Sequence, residues 1–278
     1  MHVLDFTLYV WIGALAAGLL GALTGLGGGV VLVPFLTLVL GVDIRYAIGA
    51  SLVSVIATSS GAAAAYVREG FTNIRIGMFL ELATTLGALG GAFLAGYLPT
   101  PALAVVFGVV LVHSAYLSGR RTAERPGPDR SDSLARRLRM DGTYPTKDGP
   151  ASYHVTGVPG GAAVMLLAGI LSGLLGIGSG AVKVLAMDRI MRLPFKVSTT
   201  TSNFMIGVTA AAGAGIYLHR GNVDPGIAMP VILGVLPGSM LGARFLMAAR
   251  TRTLRIVFAI VILVLGIQMI VNGLRGWR

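Results

Sequence analysis

The sequence predicts an all-α membrane protein that consists of two related halves with inverted topology. The first of three observations behind this prediction is composition: 55% of the 278 residues are hydrophobic and only 12% are charged. An average soluble domain has roughly 25% charged residues. The other two observations are an internal repeat at a fixed offset and an uneven distribution of Lys and Arg between loops.

Each half is expected to contain one glycine-broken apolar segment followed by three full-length membrane helices. A membrane helix needs about 20 apolar residues, and the first apolar run is far longer, with three consecutive glycines in its middle. The broken segments are expected at about 6–42 and 157–191. The full spans are expected at about 46–67, 76–97, 101–118, 197–218, 226–247 and 256–274.

The internal repeat appears when the chain is shifted by 151 residues. This offset aligns "AGLLGALTGLGGGVV" with "AGILSGLLGIGSGAV", and residues 17–92 then give 20 identities in 76 pairs. The aligned pairs include Gly25 with Gly176, Gly27 with Gly178, Gly29 with Gly180, and Ser51 with Ser202. The sequence therefore predicts a duplicated half in which the glycine break occurs in both copies.

Three regions follow from this organisation: a first membrane repeat at 1–118, a polar linker at 119–156 and a second membrane repeat at 157–278. The linker is rich in Arg, Pro and Asp, and a solvated loop that is partly disordered is expected there, with a regulatory role as the alternative. The chain contains no cysteine, which rules out a disulfide framework and a thiolate metal site.

The distribution of basic residues favours the inverted arrangement. If each broken segment turns back, seventeen of the 22 Lys and Arg residues lie on one side of the membrane and four on the other. A parallel arrangement gives thirteen against eight. The positive-inside rule then predicts a cytoplasmic linker and both termini outside. The net charge of +11 is therefore typical of cytoplasmic loops rather than of a nucleic-acid surface.

The glycine breaks are the candidate substrate site. Irregular backbone within a membrane persists where it lines a cavity, and inverted repeats bring such breaks together near the midplane. A short apolar helix follows each break, so unpaired N–H groups of two helix starts would face the centre and attract an anion. The predicted substrate-binding residues are Gly27, Gly28, Gly29, Ser51, Gly178, Ser179, Gly180, Lys183, Ser202 and Asn203.

Alternatives remain open for these residues. The glycines could serve helix packing alone, and Ser51 and the hydroxyl run "STTTSNF" at 198–204 could be packing residues of membrane helices. Lys183 could add charge to the anion site, pair with Asp188 or extend to the surface. Glu81 lies within a predicted span, where it could carry a proton or accept an interhelical hydrogen bond.

The motifs resemble the sulfite exporter TauE/SafE family. The resemblance rests on "GLGGG" in a long first segment, its copy "GIGSG", and the span openings "GASLVSV" and "TTTSNF", and it covers nearly the whole chain outside 119–156. It implies movement of sulfite, sulfoacetate or related organosulfonates across the cytoplasmic membrane, with export as the expected direction.

The expected partners are a small anion and membrane lipid, with no nucleic acid; a homodimer stays open. The sequence contains neither HExxH nor GxSxG and has no His/Asp cluster, so no enzyme activity, cofactor or metal is expected. An anion-selective channel and a transporter of another small organic anion are the alternative functions.

Overall fold

Helices make up most of the chain, as expected where backbone polar groups must pair within each segment. The computed structural model describes residues 3–24, 28–68, 71–119, 130–146, 149–248 and 251–276. The first half contains α1 (Val3–Thr24), α2 (Gly29–Pro34), α3 (Ile44–Arg68), α4 (Ile74–Ala95) and α5 (Thr100–Gly119). The linker contains α6 (Ser133–Arg137), β1 (Gly142–Thr146) and β2 (Gly149–Tyr153). The second half contains α7 (Val158–Leu175), α8 (Gly180–Leu185), α9 (Phe195–His219), α10 (Pro225–Ala248) and α11 (Thr251–Arg275).

Four of these helices are long and apolar enough to cross a membrane, which confirms the prediction of a multi-pass helical membrane protein. Their apolar parts are Leu4–Gly21, Ile74–Ala95, Val158–Leu175 and Pro225–Gly242. Shorter apolar stretches lie at Gly29–Val39, Ile44–Ser59, Thr100–Tyr116 and Ala259–Arg275. The helices fall close to the predicted spans; α11 differs most, because it begins at Thr251 rather than near residue 256.

Helix packing follows the internal repeat. The most extensive contacts join α1 to α10, α4 to α7, α5 to α11 and α3 to α9. The offset of 151 residues aligns α1 with α7 and α4 with α10. The α1–α10 pair is therefore the repeat equivalent of the α7–α4 pair. The same offset aligns α3 with α9 and α5 with α11, so each of these pairs joins a helix to its own repeat equivalent.

The two self-equivalent pairs are antiparallel. In α5 and α11, Gly108 lies against Gly266, whereas Gly273 lies against Pro101. Residues later in one helix therefore contact residues earlier in the other, so the two helices run in opposite directions. The other two pairs are parallel, as in α4 and α7, where Gly169 lies against Thr84 and Gly173 against Ala88. Side chains at these two glycines would collide with the carbonyl oxygens of the neighbouring helix, and their absence permits the close approach.

The second broken segment begins and ends at the same end of the helix bundle. Thr156 N, just before α7, donates a hydrogen bond of 3.3 Å to Met191 O, just after the π-helical turn Ala186–Ile190 that continues α8. We call this the linker end, since the linker also packs there. The chain thus enters along α7, turns at the glycines and returns along α8.

The first broken segment begins and ends at the opposite end of the bundle. α9 begins near the linker end and runs the length of the bundle, so its end and the start of α10 at Pro225 lie at the opposite end. A side chain on Gly49, in the first turns of α3, would overlap the carbonyl oxygen of Asn222, so α3 also begins at this end. Because α1 runs parallel to α10, with Gly238 against Leu15 and Gly234 against Trp11, α1 begins there too.

The described part of the linker is folded rather than a plain solvated loop. β1 and β2 form an antiparallel hairpin that pairs Gly142 with Tyr153. Asn73 Nδ2, at the start of α4, donates hydrogen bonds to Met140 O at 2.9 Å and to the Tyr153 hydroxyl at 2.7 Å. Met140 and Tyr153 are buried in one apolar cluster with Ile76 of α4. These contacts hold the linker against the membrane helices, which the polar composition did not predict.

Candidate substrate site between the two helix breaks

A tight turn joins α7 to α8 in the second half. Gly176, Gly178 and Ser179 all have left-handed backbone conformations, with φ of 68°, 69° and 49°. Gly176 closes α7, and its N–H donates to Ser172 O at 2.8 Å. Glycine adopts positive φ without a steric penalty, but a serine held there costs about 1–3 kcal/mol. Ser179 is therefore a strained residue at the start of α8.

The corresponding turn of the first half differs where it can be compared. Gly27 lies outside the described residues, so its predicted role is not addressed by the structure. Gly28 has a right-handed conformation with φ of −64°, unlike its repeat equivalent Ser179. The carbonyl of Gly28 accepts hydrogen bonds from Val31 N and Leu32 N, and α2 begins at Gly29.

The two breaks meet inside the protein. Ser51 Oγ, on α3, donates a buried hydrogen bond of 2.7 Å to Gly176 O. A Cβ atom built on Gly29 would lie 2.7 Å from the same carbonyl oxygen and 3.4 Å from Ile177 Cα. The first turn of α2 therefore packs directly against the turn that precedes α8, and there is no space for a side chain at Gly29.

A small cavity lies beside this contact. Its lining comes from both broken segments and from α5: Val30, Val110, Ser114, Leu171, Ile177, Ser179, Gly180 and Val182. Ser179 is only 3% exposed, and its Oγ atom has no hydrogen-bond partner within the described part of the protein. A buried hydroxyl without a partner is costly unless something else binds it. The strained, unpartnered Ser179 is thus the polar group best placed to contact a ligand here.

The predicted residues on α9 lie behind this cavity. Ser202 Oγ donates to Gly180 O at 3.3 Å and is buried, so it supports the start of α8 from the other side. Asn203, the next residue on α9, is partly exposed. Neither residue is among those that line the cavity. Gly178 lies against Ile206 of α9, and a Cβ atom at Gly178 would be 2.9 Å from Ile206 Cγ2.

Lys183 is completely buried and takes part in a polar cluster beside the cavity rather than lining it. Its Nζ atom donates to Thr209 Oγ1 on α9 and lies 4.0 Å from Glu81 Oε2 on α4. The ion-pair partner of Lys183 is therefore Glu81, while Asp188 pairs with Arg189 at 3.4 Å. The alternative in which Lys183 pairs with Asp188 or reaches the surface is therefore wrong.

Sequence reasoning did not identify this cluster as a unit. Thr209 Oγ1 donates to Glu81 Oε1 at 2.6 Å, and Thr85 donates to the same oxygen at 3.2 Å. The sequence contains part of the signal for this polar cluster, because Glu81 and Lys183 both fall within apolar segments where charge is costly. Their pairing could not be read from the sequence, since they lie in different halves and do not correspond through the repeat.

The apolar helices, the two broken segments and the cavity between them define a multi-pass helical membrane protein with an internal polar site. The chain belongs to the sulfite exporter TauE/SafE family, whose family model matches residues 10–269. The resemblance of the glycine motifs to this family is thereby confirmed.

Similar proteins come from bacteria and an archaeon. "Probable membrane transporter protein YunE" of Bacillus subtilis is 29% identical and is covered over 98% of this chain and 99% of its own. "Probable membrane transporter protein YdhB" of the same species is 28% identical over 82% and 85%. "Probable membrane transporter protein MJ0441" of Methanocaldococcus jannaschii is 24% identical over 91% of each chain. No solved structure matches the chain significantly.

The turn at Gly178 gives a direct test of whether the breaks serve transport. We expect Gly178→Val to abolish transport while the protein still reaches the membrane, because the new side chain is strained at φ of 69° and pushes against Ile206. Flux in vesicles and the amount of membrane-inserted protein are the measurements. Gly215→Val is the matched control, since a Cβ atom there meets nothing within 4 Å. Normal transport by Gly178→Val would reduce the turn to a packing device.

Proposed function

We propose that the chain is a secondary transporter or facilitator that exports small sulfur-containing anions, such as sulfite, sulfoacetate or related organosulfonates, across the cytoplasmic membrane. The observation that carries the proposal is the buried, unpartnered hydroxyl of Ser179 in the cavity between the two helix breaks. Membership of the sulfite exporter TauE/SafE family supports the substrate class.

The charge and hydrogen-bonding capacity of the cavity suit an oxyanion. α8 continues without a gap into its π-helical turn, so one helical segment extends from Gly180 to Ile190 and begins at the cavity. The partial positive charge of a helix start and the N–H groups there favour an anion. Ser179 Oγ adds one hydroxyl donor. Lys183 lies one helical turn away and adds a positive charge that Glu81 partners. The anion site is thus proposed in this cavity, between Val30 on one side and Ser179 and Gly180 on the other, whereas Gly28 and Gly29 of the predicted set are not among the lining residues.

Inverted topology of the two halves completes the proposal. The antiparallel pairing of α5 with α11 and of α3 with α9 supports it, because equivalent helices then run in opposite directions. The charge distribution supports it as well: Arg75, Arg192 and Lys196 belong to the linker end, whereas Arg45 and Arg220 belong to the opposite end. The positive-inside rule therefore puts the linker in the cytoplasm and both termini outside.

A substitution at Ser179 distinguishes a substrate-binding role of this residue from a structural role. We expect Ser179→Gly to raise the melting temperature, because glycine removes the strain at φ of 49° and no protein hydrogen bond is lost. The same change should weaken anion binding about ten- to a hundredfold, since a hydrogen bond to a charged group contributes about 1.5–3 kcal/mol. Thermal-shift titrations with sulfite, sulfate, sulfoacetate and taurine measure both quantities.

Ser172→Ala is the control for this experiment, because Ser172 Oγ is also buried without a partner but does not line the cavity. It should leave anion affinity unchanged. Wild-type affinity in Ser179→Gly would contradict the proposed site. Flux that rises linearly with anion concentration, without saturation, would indicate a channel instead of a carrier.

The topology has its own test. Reporter domains fused after Arg275 and inserted in the linker should report opposite sides of the membrane, with the C-terminal fusion outside. A protease-accessibility assay on intact cells provides the readout. A cytoplasmic C-terminus would contradict the inverted arrangement, because each half would then cross the membrane an even number of times.

A further inference from the structure

The buried cluster around Glu81 and Lys183 carries an inference that rests on the proposed function and extends it. We propose that Glu81 is the proton-binding site of the carrier and that one proton moves together with each monovalent anion. The chemistry is a reversible protonation of the Glu81 carboxylate, with the anion balancing the charge of Lys183.

The cluster is incompletely satisfied. Glu81 Oε1 accepts hydrogen bonds from Thr209 and Thr85, but Glu81 Oε2 has no donor among the described residues. Lys183 Nζ is 4.0 Å from this oxygen, too far for a direct hydrogen bond, and donates to Thr209 instead. As far as the described residues show, one carboxylate oxygen of Glu81 is therefore open to a proton, and the Lys183 ammonium group has N–H donors without an acceptor.

Charge balance couples the proton to the anion. Glu81 is 7% exposed and Lys183 is 0% exposed, so a net charge on the pair would be strongly unfavourable. The empty carrier is neutral when both groups are charged. A proton on Glu81 leaves Lys183 as an uncompensated cation, which an anion in the neighbouring cavity then balances. The two neutral states differ by one proton and one anion, and each ligand must raise the affinity for the other.

Within the described part of the chain, the helices that pack against α4 show no other charge facing Glu81 that could replace this exchange. α7, which packs along α4, has no titratable side chain between Val158 and Leu175. On α9 the titratable residues Lys196, Tyr217 and His219 lie near the helix ends. Among the described residues, Lys183 is the cation that faces Glu81.

The internal repeat argues that packing alone does not need the two charges. The offset of 151 residues aligns Lys183 with Leu32 and Ile232 with Glu81, while Thr209 aligns with Thr58. The first half therefore has Leu32, and α10 has Ile232, at the equivalent positions. Apolar residues occupy both positions that are equivalent to this ion pair, so the charges of Glu81 and Lys183 have a task beyond filling space.

Reconstituted vesicles with methanesulfonate as the probe test the coupling. This anion keeps a single negative charge and carries no proton at neutral pH, so any proton that moves with it is bound by the protein. An inward methanesulfonate gradient should acidify the interior of wild-type vesicles by one proton per anion. The affinity should fall about tenfold for each unit of rising pH while Glu81 is ionised in the empty carrier.

Glu81→Gln mimics the protonated carboxyl group. It should continue to exchange methanesulfonate across the membrane, but without proton movement and with an affinity that no longer depends on pH. Asp188→Asn is the control and should keep one proton per anion. Two results would overturn the coupling but not the proposed function. One is transport of methanesulfonate by the wild type without protons, and the other is proton movement by the Glu81→Gln variant. A wild-type protein that transports no sulfonate would overturn the proposed function together with the coupling.

A double variant keeps the test decisive if Glu81→Gln fails to fold. Glu81→Ile with Lys183→Leu introduces the apolar residues found at the repeat-equivalent positions, Ile232 and Leu32, and replacing a buried ion pair in this way commonly preserves or increases stability. This variant should reach the membrane with a melting temperature at or above that of the wild type, yet lose methanesulfonate binding and proton uptake. Wild-type binding in the double variant would remove both residues from the transport site.

Discussion

The arrangement depends on one constraint: backbone polar groups that leave a helix inside a membrane must find partners in the protein. The end of α7 meets this constraint through side chains from other helices. Ser51 donates to Gly176 O, and the Tyr217 hydroxyl donates to Leu174 O at 3.3 Å. Both carbonyl groups would otherwise be unpaired where the helix stops. The break is therefore stable only while α3 and α9 pack around it, and this requirement explains why the two halves are so closely joined at their centre.

The same constraint leaves specific groups free. Ser179 is held in a left-handed conformation, and its hydroxyl has no hydrogen-bond partner among the described residues. The two halves are not equivalent here, because Gly28 replaces Ser179 and Leu32 replaces Lys183 in the first half. A duplicated frame provides the cavity, and differences between the copies provide Ser179 in its lining and Lys183 beside it. We infer that the second half contributes most of the chemistry of the site.

Much of the fold could be predicted from the sequence, because apolar length and the exact repeat offset are direct signals in a membrane protein. The spans, the two breaks and the grouping of basic residues all follow from those signals. The hairpin in the linker could not be predicted: Pro145 and Pro150 face each other across its two strands, and proline normally argues against a strand. The pairing of Lys183 with Glu81 was also hidden, since it depends on how the halves pack and not on any local pattern.

The central claim is that the transported anion occupies the cavity between the two helix breaks, and substrate protection of a single cysteine tests it most directly. The chain has no native cysteine, so Ser114→Cys puts one thiol in the cavity lining, and His219→Cys puts one at the exposed end of α9 as a control. Sulfoacetate should slow maleimide labelling of Ser114→Cys in a saturable manner and leave labelling of His219→Cys unchanged. Equal labelling rates of Ser114→Cys with and without saturating sulfoacetate would contradict the account.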